Sequence, residues 1–406
     1  MGVSVSKDVP EVAYNWTYRA KKFYNDTVPV VSGDGSTVAL YSRGERLIHI
    51  LDSHGTTLAS IPVAQKVVAC NVSAIPSLSN DGSRIVTRDA NSVKLYDRAG
   101  NMMWEYERND KVVRSGMQSW IAQISGNGKV VIVRMFHECI WIDADTGSVM
   151  ATTEHVHQMA HSIPRISDDG STVVVADGPV LFGYVDCVNV WSAPSPVKPN
   201  LAGGEHWGDP GLSGDGSTVG VVGKHSLYIF NAKTGQPMGQ VAGVRHMVNE
   251  NSCMPSFSHD GKIVAVTLKK TGIAVFGGPG YSKLLMKYVH AGGQRPVAPL
   301  LTRDGTACVS KCGNAILLFD VRAPPQDEDT GTLPLAAARV LDDSAIPGGP
   351  TMHSRDYHHD RDTFHNRTFM CSHDGSLCVA VAKHKELWAF SMRTGMSQGG
   401  YIAKYE

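Results

Sequence analysis

The chain has 406 residues, of which 42% are hydrophobic and 19% charged, and its 38 Lys plus Arg offset its 38 Asp plus Glu. This composition excludes global disorder, and zero net charge excludes a nucleic-acid binder working through a broad positive field. No window approaches the roughly 18 apolar residues of a membrane helix, and the N-terminus lacks the apolar run of a secretory signal, so the expected location is cytoplasmic.

The chain opens with "MGVSVSK". Removal of Met1 exposes Gly2, followed by small uncharged residues and Ser6, the M-G-x-x-x-[ST] pattern of N-myristoylation. One such chain holds a membrane only marginally. Arg19, Lys21 and Lys22, or a membrane-bound partner, are the candidate second contact. Residues 1–27 therefore read as a tether and a possible closure segment.

From residue 28 onward one corner recurs. It is "SGDG" at Gly35, "SNDG" at Gly82, "SGNG" at Gly128, "SDDG" at Gly170, "SGDG" at Gly216, "SHDG" at Gly261, "TRDG" at Gly305 and "SHDG" at Gly375. Asp-Gly and Asn-Gly supply the positive φ of a tight hairpin, and the leading hydroxyl can cap a freed backbone N–H. Apolar stretches flank each corner, as in "TVPVVS" before Gly35 and "KIVAV" after Gly261. About ten residues later comes a third strand ending in an aromatic, such as "VKLYDRAG" or "LYIFNAKTG". A second turn then leads to a more polar fourth strand. The period of about 45 residues fits one four-stranded blade of a propeller.

This order resembles the WD-repeat family of β-propellers over nearly the whole chain, with some likeness to quinoprotein-type eight-bladed propellers in the T-G turns. The closing Trp-Asp pair of that family becomes Tyr96-Asp97, Ile142-Asp143 or Phe319-Asp320 here, so the chain reads as a divergent member. The expected fold is all-β: a single eight-bladed propeller of four-stranded antiparallel blades over residues 28–406, with seven blades as the alternative. The gap from Gly305 to Gly375 places a long insertion, residues 321–366, between blades seven and eight, with an outer strand at "AARVLDD". The C-terminal "GGYIAKYE" is assigned as outer strand of the last blade, in preference to the N-terminal "EVAYNWTYRA".

Counting from each corner glycine, a basic residue recurs six or eight positions along the second strand: Arg43, Arg88, Arg134, Lys224, Lys269, Lys311 and Lys383. Equal strand parity allows a positive rim at one mouth of the ring, suited to an anion or an acidic partner. Blade four breaks the series and carries Asp177 instead. His155, His246 and His290 keep one spacing from their corner and resemble the structural histidine of the WD-repeat family. "HHDRDTFH" supplies His358, His359, Asp360, Asp362 and His365, donor types that suit zinc, but at no established metal spacing, so a polar loop without metal is expected. The eight cysteines stand singly and read as buried, reduced thiols.

No nucleophile elbow, phosphate loop or zincin motif occurs. The resulting expectation is a non-enzymatic protein–protein interaction scaffold of the WD-repeat-like class, without cofactor and without nucleic-acid partners. It is tethered at a cytoplasmic membrane face through myristoyl-Gly2. The alternative is a small-ligand or metal-binding propeller, possibly enzymatic, that uses the axial funnel.

Overall fold

The computed structural model describes residues 16–19, 29–42, 45–63, 75–88, 92–107, 121–135, 138–154, 163–195, 207–223, 226–244, 254–268, 272–289, 296–312, 315–322, 338–342, 369–382, 386–391 and 402–403. They form eight antiparallel sheets, each built around one corner. Blade three is typical, with strands Ile121–Ile124, Val130–Arg134, Glu138–Asp143 and Val149–Glu154 hydrogen-bonded in that order. The first strands of adjacent blades touch one another, which places them around the axis, and the fourth strands form the perimeter. Corners and third-to-fourth turns therefore share one face, here called the corner face. The links from blade to blade, and from second to third strand, lie on the opposite connection face.

Burial follows this radial order. The second strands Thr172–Asp177 and Thr218–Gly223 are buried at every position. The perimeter strand Met102–Glu107 instead alternates between exposed and half-buried residues. The apolar core lies between blades: Val86 and Leu95 of blade two pack with Ile124, Val133 and Ile142 of blade three. Likewise Trp141 of blade three meets Tyr184 of blade four at a ring-centroid distance of 5.1 Å. In blades one to six the pairing of third and fourth strands shifts register at one equivalent point, for example between Leu95 and Tyr96 and between Ile229 and Phe230. Such a bulge increases twist, as a perimeter strand needs.

Ring closure departs from the sequence-based assignment. The outer strand of blade eight is Trp16–Arg19, antiparallel to Glu386–Phe390 with Trp16 opposite Ala389 and Arg19 opposite Glu386. The C-terminal residues Ile402–Ala403 instead add a parallel fifth strand to Ala338–Asp342 of blade seven. The N-terminal strand completes the last blade in the same antiparallel order as every other blade, and it ties the two chain ends into one sheet. The predicted outer strand of blade seven is present at Ala338–Asp342. Most of the 321–366 insertion lies outside the described residues.

The corners have one internal structure repeated eight times. At Gly82, the Ser79 hydroxyl donates to Asp81 Oδ1 at 2.6 Å and accepts from the Arg84 N–H at 3.1 Å, while the Ser83 N–H donates to Asp81 at 3.0 Å. Gly82 has φ +63, and a Cβ there would lie 2.2 Å from Thr37 Oγ1 of blade one. Thr37 in turn donates to the Gly82 carbonyl at 3.3 Å. The glycine is thus required by its own backbone and by the neighbouring blade. Gly243 has a similar φ of +77 but nothing within 4 Å of the built Cβ. In denaturant titrations Gly82→Ala is expected to cost about 3 kcal/mol, strain plus clash, against about 1 kcal/mol of strain alone for Gly243→Ala.

Candidate functional site

Of the predicted basic rim, Arg43, Lys224, Lys269 and Lys383 lie outside the described residues. Lys311 sits in the second strand of blade seven, opposite Ile316. Arg88 and Arg134 end their second strands on the connection face as expected, but both are buried, at 6% and 2% exposure. Arg134 is committed to the next blade: Nη1 donates to the Ala176 carbonyl at 2.7 Å and Nη2 to Asp177 Oδ1 at 3.1 Å. Asp177, the residue that breaks the basic series, is fully buried and is the anion for the preceding blade's cation.

Burial pushes the Arg134 guanidinium below its ordinary value, opposed by the Cys139 thiol and by Asp177 and Asp209. Burial also pushes the Cys139 thiol up to about 12, so this cysteine is inert at neutral pH. Cys139, Cys308 and Cys378 are buried free thiols, as the sequence suggests, whereas Cys187 and Cys371 are free but only half-buried. Gly2, His155, His246, His290, His358, His359, Asp360, Asp362 and His365 lie outside the described residues. No group of three or more metal-donor residues occurs among the described ones.

The side chains that converge most closely are on the corner face, at a position the sequence analysis did not single out: the second residue of each corner. In blade order these are Gly33, Asn80, Gly126, Asp168, Gly214, His259, Arg303 and His373. Their backbones form a closed ring of hydrogen bonds between blades. The Asp34 N–H donates to the Asn80 carbonyl at 2.8 Å, Asn80 to Gly126 at 2.7 Å, and so on through all eight corners to His373, which donates back to Gly33 at 2.8 Å. Radial convergence then brings the side chains together on the axis. Arg303 of blade seven reaches Asp168 of blade four, Nη2 to Oδ2 at 3.1 Å, across the axis. Its Nη2 also lies 3.0 Å from His259 Nε2, and its Nη1 lies 3.3 Å from His373 Nδ1. His259 Nδ1 faces Asp168 Oδ2 at 3.3 Å.

This cluster fills the axis on the corner face. Glycine at the second position of blades one, three and five leaves room for it: a Cβ on Gly126 would meet Asn80 at 2.3 Å and Asp168 at 2.5 Å. Around it stand the corner carboxylates. Burial raises the pKa of Asp81 and of Asp215, but hydrogen bonds from Ser79 and Ser83, and from Ser213 and Ser217, outweigh it and hold both below the usual range. The His373 imidazole is also held below its ordinary value. Burial contributes most, and Arg303 and His259 add to it against the opposing pull of Asp168 and Asp374.

A second surface feature lies at the perimeter. Leu58, Met102, Met103, Val149, Met150, Val188, Val190 and Met238 are the exposed large hydrophobics among the described residues. All sit near the start of fourth strands in blades one to five, close to the corner face. These positions are equivalent from blade to blade and so form an apolar arc along the perimeter, and exposed apolar surface that recurs in this way is a candidate contact surface.

Two predictions follow from this geometry. Asp177→Ala is expected to destabilise the fold by about 3–5 kcal/mol by removing the carboxylate that faces the buried Arg134 guanidinium, while the double substitution Arg134→Met with Asp177→Leu costs far less than the sum. A double-mutant cycle in denaturant measures this. For His373 the folded pKa is below the unfolded one, so the unfolded chain takes the proton more readily. The stability that His373 contributes is fully present above the unfolded value of about 6.5 and declines as pH falls below it. Thermal unfolding across that range is expected to show a shallower decline for His373→Gln than for the native chain.

No family model matches this sequence, and no curated protein matches it. Among solved structures, the chain is similar in fold to BamB from Moraxella catarrhalis, with 12% sequence identity and a TM-score of 0.57 over 94% of this chain and 99% of that one. It is similar also to the C-terminal WD40 domain of Sif2, with 13% identity and a TM-score of 0.61, again over 94% of this chain and 99% of that one. These likenesses agree with the propeller fold: the chain is an all-β, eight-bladed propeller of four-stranded antiparallel blades.

Proposed function

We propose that this protein is a non-enzymatic platform for protein–protein interaction. The observation that supports the reading is the convergence of Asp168, His259, Arg303 and His373 on the axis at the corner face, where they contact one another. A ring whose axis is filled in this way offers its perimeter and its blade-to-blade connections to other molecules. Such a scaffold is preorganised, so binding loses little entropy to ordering of the ring. The apolar arc supports the same reading, because exposed Met and Val side chains furnish the core of an interface and Met adapts to varied partners. The likeness in fold to a WD40 domain is consistent with this role.

The finer elements of the proposal are a basic contact through Lys224 and Lys383, and a cytoplasmic membrane tether through myristoyl-Gly2. The first rests on the recurrence of cations along the second strands, the second on the "MGVSVS" pattern.

Affinity capture followed by mass spectrometry tests each element separately. Met103→Glu with Met150→Glu, both at exposed positions, is expected to lose partners that dock on the perimeter. Lys224→Glu with Lys383→Glu is expected to lose those that use the basic contact. Gly2→Ala is expected to leave the membrane fraction while keeping soluble partners. Identical partner sets for the native chain and both surface variants count against the platform, and unchanged fractionation of Gly2→Ala counts against the tether.

A further inference from the structure

The axial cluster contains two imidazoles whose protonation state is dictated by what they face. A guanidinium carries five N–H donors and no acceptor. Arg303 Nη2 lies 3.0 Å from His259 Nε2 and its Nη1 lies 3.3 Å from His373 Nδ1. Each of those ring nitrogens can meet Arg303 only with a lone pair, so both imidazoles are neutral while the fork is made. In His259 the remaining proton is then on Nδ1, the nitrogen 3.3 Å from Asp168 Oδ2.

Protonation removes both acceptors and sets cations side by side. The surrounding charges determine what replaces the fork. His259 is faced by Asp168 and by Asp215, and His373 by Asp168 and Asp374, with Arg303 the cation opposing both. Each imidazolium therefore has a carboxylate beside it, whereas Arg303 retains only Asp168, for which the imidazoliums now compete. Arg303 is also the most exposed of the three charged groups in contact there, with 41% of its side chain accessible against 32% for His259 and 24% for Asp168.

We propose that the Arg303 fork is a proton-operated latch on the axis: when His259 and His373 take up protons they turn to the flanking carboxylates, and Arg303 is released from the axis to solvent. The backbone hydrogen-bond ring contains no titrating group, so the corner face keeps its frame while its centre changes from filled to open. The state change lies in the range where histidine alone among unperturbed side chains titrates, and it converts a guanidinium tied to the axis into a free anchor on that face.

The side-chain N–H signals of Arg303 in the full chain, labelled with ¹⁵N-arginine, read the latch directly. Guanidinium hydrogen exchange is base-catalysed, so for an arginine in a fixed environment it slows on acidification. For Arg303 the expected result is a smaller slowing, by severalfold, than that of the other arginines between about pH 7.5 and about pH 5.5, in step with the titration of the His373 ring signal. His259→Gln with His373→Gln keeps a carbonyl acceptor for Arg303 and removes both imidazoles, so this difference from the other arginines is expected to vanish. Arg303→Met is expected to move the His373 titration to higher pH, because the opposing cation is gone. An unchanged thermal melt at neutral pH confirms that each variant keeps the ring. Exchange at Arg303 that slows on acidification as much as that of the other arginines overturns the proposal, as does a smaller slowing that persists in the double glutamine variant.

Discussion

Eight hydrogen bonds between backbones hold the corners of this ring together, and every other feature of the corner face depends on them. Each joins one blade to the next at the residue beside the turn. Each also requires the Asp-Gly or Asn-Gly corner to bring N–H and carbonyl groups to the axis at one height. The Ser or Thr hydroxyl and the Asp or Asn side chain satisfy the groups the tight turn would otherwise leave bare, as buried polar groups must be. The repeated four-residue corner is thus both a local hairpin device and a tile in a closed circuit. Its glycine answers to both constraints, as Gly82 against Thr37 illustrates.

The second position of the corner is free of these constraints, since it contributes only its backbone to the circuit. Its side chain can vary, and eight such side chains are forced by symmetry into one small volume. Three glycines make space, and five larger residues fill it with a network of Arg, His, Asp and Asn. The connection face follows a different rule. There the inner ends of second strands place Arg134 against Asp177 in the dry interval between two blades, where the pair joins neighbours and is not presented to solvent.

The repeat was legible in the sequence because its causes are local: a hairpin needs Asp-Gly, a buried strand needs an apolar run, and both recur at a blade's length. Convergence was not legible, because nothing in "SHDG" or "TRDG" announces that His259, Arg303 and His373 meet. The only signal available is that the variable residue of the corner is chemically rich in the three successive last blades, His259, Arg303 and His373, and in Asp168 before the intervening Gly214. The basic recurrence is a strand-parity pattern of the sequence, and four of its seven residues lie outside the described ones. For Arg88 and Arg134 its placement at a rim did not include their burial, which depends on how closely adjacent blades pack. The closing strand was assigned to the wrong terminus because "EVAYNWTYRA" and "GGYIAKYE" have similar apolar content, and pairing partners across the whole chain cannot be ranked by composition.

The pairing of Trp16–Arg19 with Glu386–Phe390 also sets an order of events in synthesis. The strand made first lacks its hydrogen-bond partner until nearly the whole chain has left the ribosome. Seven blades can condense as they emerge, but the circle stays a crescent with raw edges for that interval. Those edges are competent to pair with other nascent chains. Shielding of the open crescent before its last seam is sewn is thus a requirement separate from the stability of the finished ring.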